Sequence, residues 1–352
     1  MTTYEFQARP DNATPWAVRS FRTTAILAIA SIIPALLSYF IGSAFALPGA
    51  VTLLVVFLPI QIVAGVFATG ITKGAHRIAD SVLAIGISFA VFLVAILLGS
   101  LLFSVIKNGI GTLTTPFLTQ NNVYISSTTS MEYGGAAHAV LGSVLIVGLT
   151  TIVTVPLGIA VAVFLTETDS KLTGLVRFIT QSMSGLPSIV SGLFVYAAFV
   201  LTGIADQAGW LGALALMFLM LPTVSRMAEE VLKLVPGDIR NAALALGAPR
   251  RAAFMQVILP AARTGIITAT LLGLARVIGE TAPLIVTTIP GNETNANLFF
   301  GPISTLPTYI YKFVSDISET SQHRAWGAAL ELLIIVGILF AAARILGKQK
   351  VK

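Results

Sequence analysis

Residues 226–263 read RMAEEVLKLVPGDIRNAALALGAPRRAAFMQVILPAAR, and residues 264–288 continue TGIITATLLGLARVIGETAPLIVTT. The first stretch is charged and basic. The second is an apolar run of membrane-spanning length that carries Arg276 and Glu280 inside it. A charge near the middle of a bilayer costs about 2.5–3.5 kcal/mol on insertion scales. A passive anchor has no use for either feature, so the rest of the chain is read outward from this segment.

The 352 residues are 56% hydrophobic and 10% charged, with mean hydropathy +0.90. Soluble domains carry about 25% charged residues, and apolar runs of ~20 residues cross a ~30 Å hydrocarbon core. The fold class is therefore all-α, a polytopic helical membrane protein. Without cysteine there is no disulfide, thiolate metal site or cysteine nucleophile. His76, His138 and His323 lie far apart with no ligand spacing, so no metal is expected. The net charge of +6 sits in loops between spans and points to membrane topology rather than nucleic acid.

Eight apolar runs are expected to span, at 23–46, 50–70, 81–106, 137–165, 184–203, 209–225, 264–289 and 326–346. Ala44-Phe45-Ala46 resembles a signal-peptidase site, but the run before it exceeds the roughly 7–15 residues of a signal core, so an uncleaved span is expected. The first two spans form a hairpin around Leu47-Pro48-Gly49, and residues 166–183 read as a charged connector. The domain layout is a tail at 1–22, a hairpin with its junction at 23–80, a core at 81–346 containing the loop 226–263, and a tail at 347–352. Seventeen of the 21 Lys and Arg fall on the side of both tails and the long loop, against three in 107–136 and 290–325. That bias puts both termini and the long loop in the cytoplasm.

Enzyme signatures are missing: there is no G-x-x-x-x-G-K-[ST] phosphate loop, no H-E-x-x-H and no G-x-S-x-G. Uphill transport would need a partner or an ion gradient. In the long loop, Asp238–Leu246 reads as a short helix with small residues Ala242, Ala243 and Ala245 and a stop at Gly247. A second short helix, Pro249–Ile258, is expected to end at Leu259-Pro260. Small side chains let another protein approach closely; alternatively the loop lies at the headgroups, with Arg250 and Arg251 on anionic lipid. Arg276 and Glu280 are four residues apart, so on one helix they can pair.

Asn241-Ala242-Ala243, Gly247 and Val257-Ile258-Leu259-Pro260 resemble the EAA loop of the membrane subunits of binding-protein-dependent ABC importers. Asn241 stands where Glu is usual and Val257 where Ile is usual, which puts one charged contact in doubt. Tyr133–His138, Ser184–Gly192, Glu229–Leu232, Leu234–Pro236, Ala245–Pro249 and Ala275–Pro283 are similar to segments of the phosphate permease family, over roughly 81–346.

The resemblance implies a type I ABC importer permease fold of six core spans, here with two extra N-terminal spans. It implies ATP-driven import of inorganic phosphate across a bacterial or archaeal cell membrane. The implied partners are a sister permease, an ATPase dimer that binds ATP and Mg, and an extracytoplasmic phosphate-binding protein; no cofactor is expected in this chain. Asn241, Ala242, Ala243, Gly247, Leu259 and Pro260 would meet the ATPase, and Arg276, Glu280 and Thr281 would line the substrate pathway. Arg276 and Glu280 could instead seal a helix interface. Import of another oxyanion or small solute stays open. So does an ion-gradient transporter using Glu280 or Glu331, and a receptor or scaffold.

Overall fold

The computed structural model describes residues 21–73, 78–168 and 170–347, and the regular structure in them is helical. The expectations for Arg9 and Arg19 in the first tail, for His76 and Arg77 in the junction, and for the tail beyond 347 lie outside these residues. The chain divides into two units between Leu102 and Phe103, inside one helix.

In the first unit, α1 (Phe21–Ala44) turns at residues 45–48 into α2 (49–73), and the two pack as the expected hairpin. Gln61 Nε2 donates to Ala30 O across the pair at 3.3 Å. α3 (Ile78–Gly109) joins them through the Thr69 and Ser81 hydroxyls, 2.6 Å apart. Up to Leu102, α3 thus groups with the hairpin, whereas the sequence assigns residues from 81 onward to the core.

The second unit continues through α4 (Thr115–Thr119), α5 (Ala137–Glu167), α6 (Thr173–Ser184), α7 (Ser188–Val200) and α8 (Gly209–Lys233). It then runs through α9 (Gly237–Ala245), α10 (Arg250–Ile278), α11 (Ala282–Thr287), α12 (Leu306–Val314) and α13 (Glu319–Gly347). Its core lies along α5 and α8, where Ile146 and Val147 meet Leu216, Leu219, Met220 and Val224, closed by Val277 and Leu284. Lipid tails are as apolar as Leu, so helices associate in membranes where small residues allow close packing. Gly158 supplies that at the α5–α8 contact, facing Val224.

Six expectations are corrected. The run 184–203 is not one straight span: α6 and α7 meet at 107° around Gly185-Leu186-Pro187. Pro187 lacks an N–H and drives the residue before it out of the helical region. α7 alone, at 1.5 Å per residue, reaches about 20 Å and falls short of a ~30 Å core. The connector 166–183 is largely helix α6.

The long loop is also mostly helical, because α8 continues to Lys233. Leu259-Pro260 does not end a helix, since residues 250–278 run continuously through a π-turn at Phe254–Ile258. In an α-helix the Pro260 ring would clash with the carbonyl four residues back; here the wider turn precedes it, with Leu259 N bonded to Phe254 O. The same device precedes Pro59, at Thr52–Phe57.

The expected span 264–289 breaks at Gly279, and the last helix begins at Glu319 rather than 326.

The two polar loops fold as one layer at the α12 end of the unit. Asn122 N donates to Asn292 O at 3.0 Å, and Asn122 Nδ2 donates to the Tyr309 hydroxyl at 3.2 Å. Arg324, counted from the sequence as a loop charge, is fully buried, and its Nη2 donates to the carbonyls of Thr129, Ser130 and Tyr133 at 3.3, 3.1 and 2.8 Å. Burial raises the Tyr309 pKa and lowers that of Lys312.

Candidate functional site

α9 opens after Pro236, with Asp238 in its first turn, where a carboxylate complements the helix dipole. It ends in a Schellman arrangement: Ala248 N bonds to Ala243 O at 3.2 Å and Gly247 N to Leu244 O at 2.9 Å. Gly247 has φ +84°, which a side chain would oppose. The helix packs against the first turns of α10, and its Ala243 is buried. Asn241, Ala242 and Gly247 are exposed, beside exposed Ile239, Leu244 and Leu246. A surface of small and apolar residues is thus left open, as the sequence expects. Leu259 and Pro260 lie inside α10 rather than at the end of a loop.

Ion pairs secure this end of the unit. Glu229 on α8 accepts from Arg177 of α6 at 2.7 Å and from Lys233 at 2.6 Å. Arg240 of α9 pairs with Glu167, the last residue of α5, at 2.7 Å. Lys233 and Glu229 stand four residues apart on one helix, but no local pattern announces the other two contacts, whose partners are 52 and 73 residues apart.

Arg276 lies 16 residues beyond Pro260 on the same helix, about 24 Å along its axis at 1.5 Å per residue. It is exposed and does not pair with Glu280. Instead its Nη1 donates to Thr223 Oγ1 on α8 at 3.1 Å. The Thr223 hydroxyl in turn donates to Leu219 O at 3.2 Å, which leaves its lone pairs facing the guanidinium. The expected Arg276–Glu280 pair fails because the helix stops at Gly279, so residue 280 no longer stands one turn above residue 276. Glu280 and Thr281 are half-buried in the break, and Thr281 precedes the first turn of α11. Thr223 was missed from sequence; nothing in its own segment marks it.

Two of the quoted motif segments meet in space. Gly192 of α7 sits against Pro283 and Val286 of α11 so closely that a Cβ there would stand 2.6 Å from Pro283 Cα. Segments 184–192 and 275–283 therefore build one structure: two broken helices packed through a glycine, with an exposed guanidinium at one break.

Residues 154–349, all in the second unit, match the family described as binding-protein-dependent transport system inner membrane component. The chain belongs to this family. As a member, it is a transport-system membrane component with several apolar helices. The phosphate transport system permease protein PstA of Xylella fastidiosa strain 9a5c is 41% identical over 218 residues, covering 61% of this chain and 76% of that protein. PstA 1 of Mycobacterium tuberculosis strain H37Rv is 38% identical over 211 residues, covering 60% and 68%. PstA of Yersinia pestis is 36% identical over 252 residues, covering 71% and 83%. Among solved structures, an inward-facing MetNI methionine ABC transporter aligns with TM-score 0.46 and 18% identity, over 60% of this chain and 91% of that one.

Proposed function

We propose that the protein is the membrane-spanning subunit of an ATP-driven importer for inorganic phosphate. It forms half of the translocation path and couples that path to a separate ATPase. The observation that carries this reading is Arg276: an exposed guanidinium within a span, held by a neighbouring hydroxyl and, among the described residues, free of any carboxylate partner within ion-pair distance. A planar cation of this kind suits an oxyanion, which it can bind through two N–H groups. Relatives at 36–41% identity that carry the phosphate permease name support the substrate.

α9, which exposes Asn241, Ala242 and Gly247 and buries Ala243, serves as the seat for the ATPase, and α10 carries its displacement toward Arg276. Glu280 and Thr281 line the helix break next to the path. The partners are a sister permease of the PstC type, an ATPase dimer of the PstB type that binds ATP and Mg, and an extracytoplasmic binding protein of the PstS type. Both termini face the cytoplasm of a bacterial or archaeal cell, in keeping with the distribution of Lys and Arg.

The test is uptake of labelled inorganic phosphate by the assembled complex carrying Arg276→Ala. Uptake should collapse while the subunits still co-purify, and wild-type uptake would sink the reading. Competition with sulfate or molybdate measures whether phosphate is the preferred oxyanion.

A further inference from the structure

We infer that Arg240 and Glu167 form a coupling latch, which ties the ATPase-docking helix to α5 and sends its movement along a second route to the far face of the unit. The inference rests on the reading of α9 as the docking helix.

α9 is attached to the unit in three ways. Short linkers hold its ends, the helix packs on the first turns of α10, and Arg240 Nη2 meets Glu167 Oε1 at 2.7 Å. That ion pair links α9 to a span outside its own connection. Its side chains are 32% and 22% exposed, so water screens it only in part.

Glu167 is the last residue of a helix of 31 residues, about 46 Å long at 1.5 Å per residue. At the opposite end of that helix, Ser143 Oγ accepts from Leu306 N, the first residue of α12, at 2.8 Å. The preceding residue, Gly142, lies against the Ser304 carbonyl with no room for a Cβ. Between these ends, α5 packs along α8, the helix whose Thr223 holds Arg276. A displacement of α9 therefore has two rigid paths. One is the continuous helix α10, which bears Arg276. The other runs through Arg240 and Glu167 into α5, and from there to α8 and the α12 layer. Arg240 and Glu167 are positioning residues: neither contacts substrate, and they act by making α5 move when α9 moves.

The experiment uses the full complex in proteoliposomes and reads inorganic phosphate transported per ATP hydrolysed. Arg240→Ala and Glu167→Gln should each lower this ratio by about two- to five-fold, the range a partly exposed ion pair supports, with subunits still co-purifying. The exchanged pair R240E/E167R should restore it, which a merely structural defect would not allow. A normal ratio in both single variants overturns the latch. Loss of ATPase co-purification in Arg240→Ala but not in Glu167→Gln also overturns it, because Arg240 would then contact the ATPase and not Glu167. Ala242→Trp, at an exposed position of α9, tests the docking reading separately: a latch that fails while Ala242→Trp uncouples leaves docking intact.

Discussion

Arg276 of α10 donates to Thr223 of α8 at 3.1 Å, although Glu280 lies four residues away in sequence. The contact crosses a helix interface rather than climbing one helix, so the guanidinium is aimed by α8. That relationship sets how substitutions in the region should behave.

Thr223→Val removes the acceptor and keeps the shape. Phosphate uptake should show kcat/KM lowered by about three- to ten-fold, in line with loss of one hydrogen bond to a charged group. Uptake kinetics at several phosphate concentrations check it; an unchanged value would mean that Thr223 does not orient Arg276.

Arg276→Ala and Glu280→Ala should behave as independent changes. With no ion pair between them, their effects on thermal stability should add within about 0.5 kcal/mol. A double-mutant cycle on the purified complex measures the coupling, and a value well above that would restore the pairing read from sequence.

Gly192→Ala places a methyl group 2.6 Å from Pro283 Cα, a backbone atom that cannot swing aside. The α7–α11 contact should open, costing about 1–3 kcal/mol as other overpacked sites do. A lower Tm and reduced uptake are expected, whereas Gly174→Ala, where a Cβ meets nothing within 4 Å, should leave both unchanged.

Arg324→Met should destabilise the α12 end of the unit by about 2–4 kcal/mol, since it strips three carbonyls of a fully buried donor. Faster proteolysis within residues 127–133 and a lower Tm are the expected readings. Arg324→Lys should recover only part of the loss, because one ammonium cannot reproduce the planar fork.

Gly247→Val forces a β-branched side chain onto φ +84°. The left-handed conformation costs a substituted residue about 1–2 kcal/mol, so the end of α9 should reshape and the ratio of phosphate moved to ATP hydrolysed should fall. A normal ratio would argue that this helix end makes no contact with the ATPase.

The sequence by itself determined the class, the helices and their order. Apolar runs of spanning length read directly as helices, because a backbone in hydrocarbon must satisfy its own hydrogen bonds. Short-range signals were equally legible: Pro236 and Gly247 bracket α9 in the structure where their backbone preferences put them. The family, too, was readable from spaced residues at 241–260 and 275–283, and the match over 154–349 agrees.

Tertiary structure decided everything that depends on which helix faces which. Hydropathy cannot distinguish a straight span from α6 and α7 bent at 107°, because both bury apolar residues of similar number. It cannot show that a helix stops at Gly279 and so parts Arg276 from Glu280. Nor can it reveal that Arg240 reaches back to Glu167, or that Arg324 is held by three carbonyls almost 200 residues before it. Each is a contact between distant residues, and its partner is set by packing around small residues such as Gly158 and Gly192 rather than by any local pattern. Charges were counted correctly from the sequence; the structure alone chose their partners.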